Sequence, residues 1–227
     1  MKTKGNEARL ASKKKKEQAQ SSAVTLEAGP STGWRDPQGT IYFWREFERH
    51  YGFLCQWAPS PFEVDGKLYY TAEHWMMAGK ARLFRDQPMM VKILQSTHPG
   101  KAKALGKQVR GFSEKIWLQH CDEVVEEGNM HKFGSNEGLR RKLLATGNRE
   151  LVEASPRDRV WGVGFDAAHA ETNRSQWGQN RLALVLMRVR ERLREEDRKK
   201  ETGDVAEVVE EEKAEESRAD TDQHNHV

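Results

Sequence analysis

Apolar residues recur at helical spacing only in the middle of this 227-residue chain, and this restriction limits its fold more than any other feature. Residues 1–30 carry seven basic and three acidic residues, and residues 201–227 carry ten acidic and two basic residues without an aromatic side chain. Segments of this composition cannot bury enough apolar surface to fold. We therefore expect one domain over 41–194, between a disordered basic tail at 1–40 and a disordered acidic tail at 195–227.

The central part of the chain is more basic than the chain as a whole. The net charge is +3 overall, but residues 31–200 carry +7 because the acidic C-terminal segment offsets them. A basic domain suggests an anionic partner, such as a phosphorylated small molecule or nucleic acid. A solvated surface that is simply basic explains the same charge, so both interpretations stay open here.

The cysteines and the hydropathy of the chain indicate in which cellular compartment to expect the protein. Cys55 and Cys121 lie far apart and in no paired motif, which argues against a disulfide framework and against a cysteine zinc site. No N-terminal apolar stretch resembles a signal peptide, and no run approaches the roughly 20 apolar residues of a membrane span. We expect a soluble intracellular protein with no membrane partner. The lysine run at 13–16 is consistent with a nuclear address or with a solvated tail, so both cytoplasm and nucleus fit.

The hydrophobic periodicity predicts a fold that is mainly α with a minor β element. A short apolar run at 41–44 is typical of a strand, and alternating residues around Asp65-Gly66 predict a hairpin at 62–70. Capping residues and steps of three and four then predict helices at 71–84, 88–96, 100–109, 113–128, 135–147 and 179–194. Residues 148–178 have no helical period. A long irregular stretch inside a compact domain usually carries residues of functional importance.

The predicted helix at 71–84 carries the first candidate for chemistry. Glu73 and Lys80 are seven residues apart, so they lie on nearly the same face, about 10–11 Å from each other. A carboxylate and an ammonium group on the same face of a helix can both contact one ligand. Glu73 can equally be an acid in the first helical turn that interacts favourably with the helix dipole, and Lys80 can equally be an ordinary surface lysine.

A second set of candidates lies in the irregular stretch and at the start of the last helix. Gly162 permits a close approach of a ligand, and Trp161 can stack on a base or serve as a core residue. Asn180 can bond a sugar hydroxyl or support the start of the helix. The histidines show no metal-ligand spacing, and there is no P-loop or nucleophile-elbow motif. We therefore predict neither a metal nor a cofactor.

Taken together, several uncommon runs resemble the NADAR family, also called YbiA-like, over about residues 41–193. They include A-E-H-W-M-M-A-G-K-A around Glu73, S-P-R-D-R-V-W-G-V-G around Asp158, and W-G-Q-N-R-L-A-L at the start of the last helix. The resemblance implies a compact helical N-glycosidase that uses no cofactor. It further implies either a ribosylamino intermediate of riboflavin synthesis or ADP-ribose attached to guanine as the substrate.

The resemblance also assigns roles to individual residues. Glu73 matches the family's best catalytic acid, and Lys80 matches a lysine for which the family suggests a covalent imine with the opened ribose. The substrate-binding residues that it implies are Trp57, Asp158, Trp161, Gly162, Trp177 and Asn180. The expected partner is an anionic small molecule with a ribose phosphate or ADP-ribose, or ADP-ribosylated nucleic acid. A non-catalytic ADP-ribose or nucleotide-binding module on the same fold is the alternative.

This chain departs from the resemblance at two positions. Cys55 stands where many members have a serine, and a thiol is a poorer hydrogen-bond donor than a hydroxyl. This substitution weakens any polar role expected at position 55. Ala183 stands where many members have a glycine.

Overall fold

The computed structural model describes residues 39–201, so most of the two predicted tails lies outside the described residues. Within this range the chain is mainly helical with few strands, which confirms the predicted fold class. The strands are β1 (Ile41–Phe43), β2 (Phe62–Val64), β3 (Lys67–Tyr69) and β4 (Leu151–Glu153). The helices are α1 (Ala72–Leu83), α2 (Gln87–Leu94), α3 (Pro99–Gly106), α4 (Glu114–Gly134), α5 (Glu137–Leu144), α6 (Ala167–Ala170) and α7 (181–201).

Helix α1 is the centre of the core. The Thr71 hydroxyl caps it by accepting a hydrogen bond from the backbone N–H of His74, as the sequence predicted. Nine of its twelve residues are buried, because α2, α3 and α4 all pack against it. A polar side chain in its first turn is therefore enclosed by the fold, and this is the setting of Glu73.

The prediction that Gly128 ends helix α4 is wrong, since the helix continues to Gly134. A Cβ atom at Gly128 would lie 2.4 Å from Cδ1 of Trp75, so the glycine lets α4 approach α1 closely. The Trp75 indole donates a hydrogen bond to the carbonyl of Val124 at 2.9 Å across the same contact. The close packing of α4 against α1 therefore explains why a glycine stands at position 128, although the helix does not end there.

Strand β4 was not predicted from the sequence. It pairs in parallel with β1, with Ile41 opposite Leu151 and Phe43 opposite Glu153. Its three residues are too few to show a periodic signal, and its partner lies more than 100 residues away in the chain. The pairing places β4 beside the first strand of the domain, and so fixes the start of the irregular stretch.

Helix α7 continues past Arg194 to residue 201, seven residues into the segment that the sequence assigned to the acidic tail. Buried Arg140 of α5 binds the carboxylates of Glu196 and Asp197, and thereby ties this extension to the domain. None of the helices in residues 39–201 is both long and apolar enough to cross a lipid bilayer.

Candidate functional site

A cavity of about 540 Å³ lies where α1, α3 and the start of α4 meet β4 and the loop that follows it. Its volume is within the range of small-molecule sites. Of the predicted site residues, the cavity brings together Glu73, Trp57, Asp158 and Trp161. These four come from three separate stretches of the chain, so the tertiary structure places them side by side.

Glu73 is a buried acid at the N-terminal end of α1. Its backbone N–H donates to the carbonyl of Gln56 at 3.0 Å, and the Trp57 side chain hydrogen-bonds its carboxylate. Burial raises the pKa of Glu73, and the negative charge of Asp158 raises it further, whereas Lys103 and the hydrogen bond from Trp57 lower it. Its Oε1 atom has no hydrogen-bond partner among the described residues.

Glu153, the last residue of β4, is a second acid in the same cavity, and the sequence analysis missed it. Burial raises its pKa to about 8, and the charges of Asp158 and Glu73 add to this effect, while Lys103 opposes it. Part of the residue remains accessible, but its Oε2 atom is shielded from solvent and has no hydrogen-bond partner among the described residues. The signal that could have revealed it is an acidic residue within the otherwise apolar run L-V-E-A.

Asp158 shapes the loop that forms one wall of the cavity. Its Oδ1 atom accepts hydrogen bonds from the backbone N–H groups of Val160 at 2.9 Å and Trp161 at 2.8 Å. This turn presents the partly buried ring of Trp161 to the cavity. Asp158 therefore contributes both local structure and negative charge to the site.

Lys80 does not line the cavity, although it lies near its aromatic wall. Its Nζ atom is 3.8 Å from the ring centroid of Phe112 and 5.7 Å from that of Trp117, and both rings line the cavity. Burial lowers the pKa of Lys80. The lysine that lines the cavity is Lys103 of α3, which the sequence analysis did not single out because it looks like one of several surface lysines.

Three other predicted site residues lie behind the cavity. A Cβ atom at Gly162 would lie 2.7 Å from the carbonyl oxygen of Glu153, so the space beside this glycine is filled by the chain itself, where a ligand was expected. The Trp177 indole donates to the carbonyl of Ala170 at 2.7 Å. Asn180 is buried and its side chain bonds the backbone of β4. Gly162 and Asn180 thus pack against and hold β4, which carries Glu153, whereas Trp177 packs against the apolar cluster that contains Val152.

The cavity concentrates buried polar atoms that lack partners. Within residues 39–201, five such side-chain atoms occur, and three of them belong to the cavity residues Gln56, Glu73 and Glu153. A fourth is Oδ1 of Asn129, whose amide nitrogen donates to Gln56 Oε1 at 3.0 Å. Such atoms are rare in folded proteins because each costs desolvation energy. Their grouping marks this cavity as the candidate site, where water or a ligand can complete these hydrogen bonds.

The lining of the cavity is more acidic than the basic composition of residues 31–200 suggested. Two cations, Arg45 and Lys103, face five acids: Glu46, Glu73, Glu114, Glu153 and Asp158. The positive charge of the central region therefore lies mostly outside the cavity.

A larger cavity of about 880 Å³ lies between α1, α4 and α7, but it contains none of the predicted site residues.

A mostly helical domain with two carboxyl groups in an aromatic-walled cavity, each with one buried oxygen that lacks a partner among the described residues, is typical of an enzyme-like small-molecule site of the acid–base kind. The chain belongs to the NADAR domain family, whose family model matches residues 42–194. The resemblance inferred from the sequence runs is thereby confirmed.

Relatives and a solved structure agree with this assignment. The chain is 43% identical over 145 residues to "N-glycosidase R617" of Acanthamoeba polyphaga mimivirus, covering 61% of this chain and 85% of that protein. It is 34% identical over 155 residues to "Riboflavin biosynthesis protein VVA0006" of Vibrio vulnificus, covering 68% of this chain and 39% of that protein. It also resembles the NMR structure of Escherichia coli YbiA, with a TM-score of 0.59 and 30% identity, over 70% of this chain and 88% of that one.

Proposed function

We propose that this protein is an N-glycosidase that hydrolyses the bond between a ribose carbon and the nitrogen of a base. The observation that carries the proposal is the buried Glu73 carboxyl, with one oxygen lacking a partner, in a cavity of small-molecule size. Membership of a family with relatives named N-glycosidases supports it. The candidate substrates are a phosphorylated ribosylaminopyrimidine of riboflavin synthesis and ADP-ribosyl-guanine, free or in nucleic acid.

The chemistry of the bond explains why a buried carboxylate is needed. As the C–N bond breaks, positive charge develops at the anomeric carbon in an oxocarbenium-like transition state. A carboxylate in a low-dielectric cavity stabilises this charge far better than water does. Glu73 in its ionised form stabilises the ribosyl cation and takes a proton from the water that attacks it.

The remaining lining residues suit a substrate that combines a flat base, a ribose and a phosphate. Trp57 and Trp161 offer aromatic faces for the base, and Asp158 holds the loop that carries Trp161. Arg45 and Lys103 are the cations on the lining and would bind the phosphate. Gly162, Trp177 and Asn180 support this arrangement from behind, through backbone contacts and hydrogen bonds.

Lys80 is assigned a covalent step that follows hydrolysis: the released ribose opens to its aldehyde, the amine condenses with it to an imine with loss of water, and water later reverses this step. An amine must be neutral to attack this aldehyde, and burial lowers the pKa of Lys80, which favours the neutral form. Because Lys80 does not line the cavity but contacts the lining residues Phe112 and Trp117, its side chain must move to reach a ligand there.

Product detection tests the proposal. Wild-type protein, Glu73→Gln and the exposed control Glu63→Gln are incubated with ribosylaminopyrimidine phosphate and, separately, with ADP-ribosyl-guanosine. The released base is quantified by chromatography and mass spectrometry. We expect release by the wild type and by Glu63→Gln, with a loss on the order of 10²-fold or more in Glu73→Gln. Binding of both compounds without any release would instead indicate the non-catalytic nucleotide-binding module.

A further inference from the structure

Glu153 and Glu73 are two carboxyl groups from different structural elements that line one cavity. Glu73 belongs to α1 and Glu153 to β4, and each has one oxygen without a hydrogen-bond partner among the described residues. Each also lies close enough to the third acid, Asp158, to feel its charge. Both residues line the cavity, and each has a buried oxygen whose hydrogen-bonding capacity is unused by the described residues.

The backbone around Glu153 is held firmly. Its N–H donates to Oδ1 of Asn180 at 3.0 Å, and its carbonyl accepts from the N–H of Val163 at 3.0 Å. Its strand pairs with β1, where it lies opposite Phe43. This rigid backbone fixes the point from which the Glu153 side chain extends into the cavity lining.

The surroundings keep a proton on this pair. Two carboxyl groups in one low-dielectric cavity disfavour simultaneous ionisation, as in other paired-acid sites. Asp158 adds a further negative charge that faces both, and Lys103 is the cation that opposes it. The pKa of Glu153, about 8, agrees with a protonated carboxyl group at neutral pH.

We propose that Glu153 is the general acid of the reaction, whose protonated carboxyl group donates its proton to the nitrogen of the departing base. This inference rests on the proposed N-glycosidase function. The electron pair of the C–N bond goes to the base nitrogen, which receives the proton of Glu153. Water then bonds to the anomeric carbon and gives a proton to Glu73. Glu73 then releases its proton to solvent and Glu153 takes one up, which restores the starting state, so the sum is hydrolysis alone.

A comparison of leaving groups separates this role from a structural one. A ribosylaminopyrimidine releases an anion-like base that needs a proton, whereas an N-ribosylpyridinium, such as nicotinamide mononucleotide, releases a neutral base that needs none. For Glu153→Gln we expect kcat to fall on the order of 10²–10⁴-fold on the aminopyrimidine. On the pyridinium compound we expect a fall of less than about tenfold. An equal loss on both substrates would overturn the assignment.

The pH profile decides the same question on the aminopyrimidine alone. In the wild type, kcat/KM should decline on the alkaline side as Glu153 loses its proton, and this decline should be absent from Glu153→Gln. Glu153→Asp keeps an acid one methylene farther back, so it should retain the alkaline decline at a reduced rate. An alkaline limb that persists in a folded Glu153→Gln variant overturns the inference. Inactive wild-type protein on every substrate would refute the proposed function itself.

Discussion

The side-chain oxygen of Asn180 accepts a hydrogen bond from the backbone N–H of Glu153 at 3.0 Å, and its amide nitrogen donates to the carbonyl of Leu151 at 3.1 Å. One side chain thus holds both ends of β4, the strand that carries the second acid of the cavity. Asn180 has a φ of +51°, in the left-handed region that asparagine tolerates better than most residues. Asn180, a candidate partner for a sugar hydroxyl from the sequence, therefore acts as a clamp: its side chain holds the backbone of β4.

Removing this clamp should destabilise the domain. Asn180→Ala leaves the buried N–H of Glu153 and carbonyl of Leu151 without a side-chain partner, so we expect a loss of about 2–4 kcal/mol. The midpoint of thermal unfolding should fall by about 5–15 °C for a domain of this size. Asn180→Gly is the matched control, because it relieves the left-handed backbone yet still lacks the two bonds. Wild-type stability in Asn180→Gly would show that the clamp contributes nothing.

Replacing Trp57 with Phe should shift the acidic limb of the pH profile. The variant keeps an aromatic ring but loses the hydrogen bond that stabilises the Glu73 carboxylate. Because that bond lowers the pKa of Glu73, its loss should raise the pKa, and the ionised form should appear only at higher pH. We expect the acidic limb of kcat/KM to move upward, measured on whichever substrate releases base. An unmoved limb would mean that Glu73 is not the group that must be ionised.

Lys132 offers a test of stability against pH. Its Nζ atom is buried and donates to the carbonyl of Cys55 at 2.9 Å, and burial lowers its pKa from 10.5 to about 8. Between these values the unfolded chain binds more protons than the folded one, so Lys132 should make the wild type more stable as pH rises from about 8 to 10.5.

Urea unfolding across this range should show that trend as a difference from Lys132→Met. The Cys55 carbonyl keeps its bond from the N–H of Ala58, so the variant should fold and should match or exceed the wild type at pH 7. The stability of the wild type relative to Lys132→Met should then increase from pH 8 to pH 10. The exposed Lys142→Met serves as the control and should show no such trend. A constant difference would contradict a neutral buried amine.

Borohydride trapping tests the role of Lys80. An imine between its amine and the opened ribose is reduced to a stable adduct, which peptide mass spectrometry can locate. We expect the adduct on Lys80 in the wild type and in Lys103→Arg, and none in Lys80→Arg. An adduct on Lys103 would transfer the covalent role to the lysine that lines the cavity.

Several features of the fold could be predicted because their causes are local. The cap at Thr71, the Asp65-Gly66 turn and the apolar steps of α7 each depend on residues within a few positions of one another. The uncommon runs around Glu73 and Asp158 were enough to identify the family. Gly128 was misread because a glycine within a helix signals either a stop or a close contact, and only the neighbouring helix decides which.

The sequence by itself determined that a mainly helical domain forms and that Glu73 lies in the first turn of its helix, since both follow from local spacing. The tertiary structure decided which side chains meet. Parallel pairing of β1 with β4 joins residues more than 100 positions apart and brings Glu153 to the cavity of Glu73. Packing on several sides buries Glu73 and much of Glu153, and this burial raises their pKa values. Burial and long-range pairing depend on the whole chain, so no local pattern encodes them.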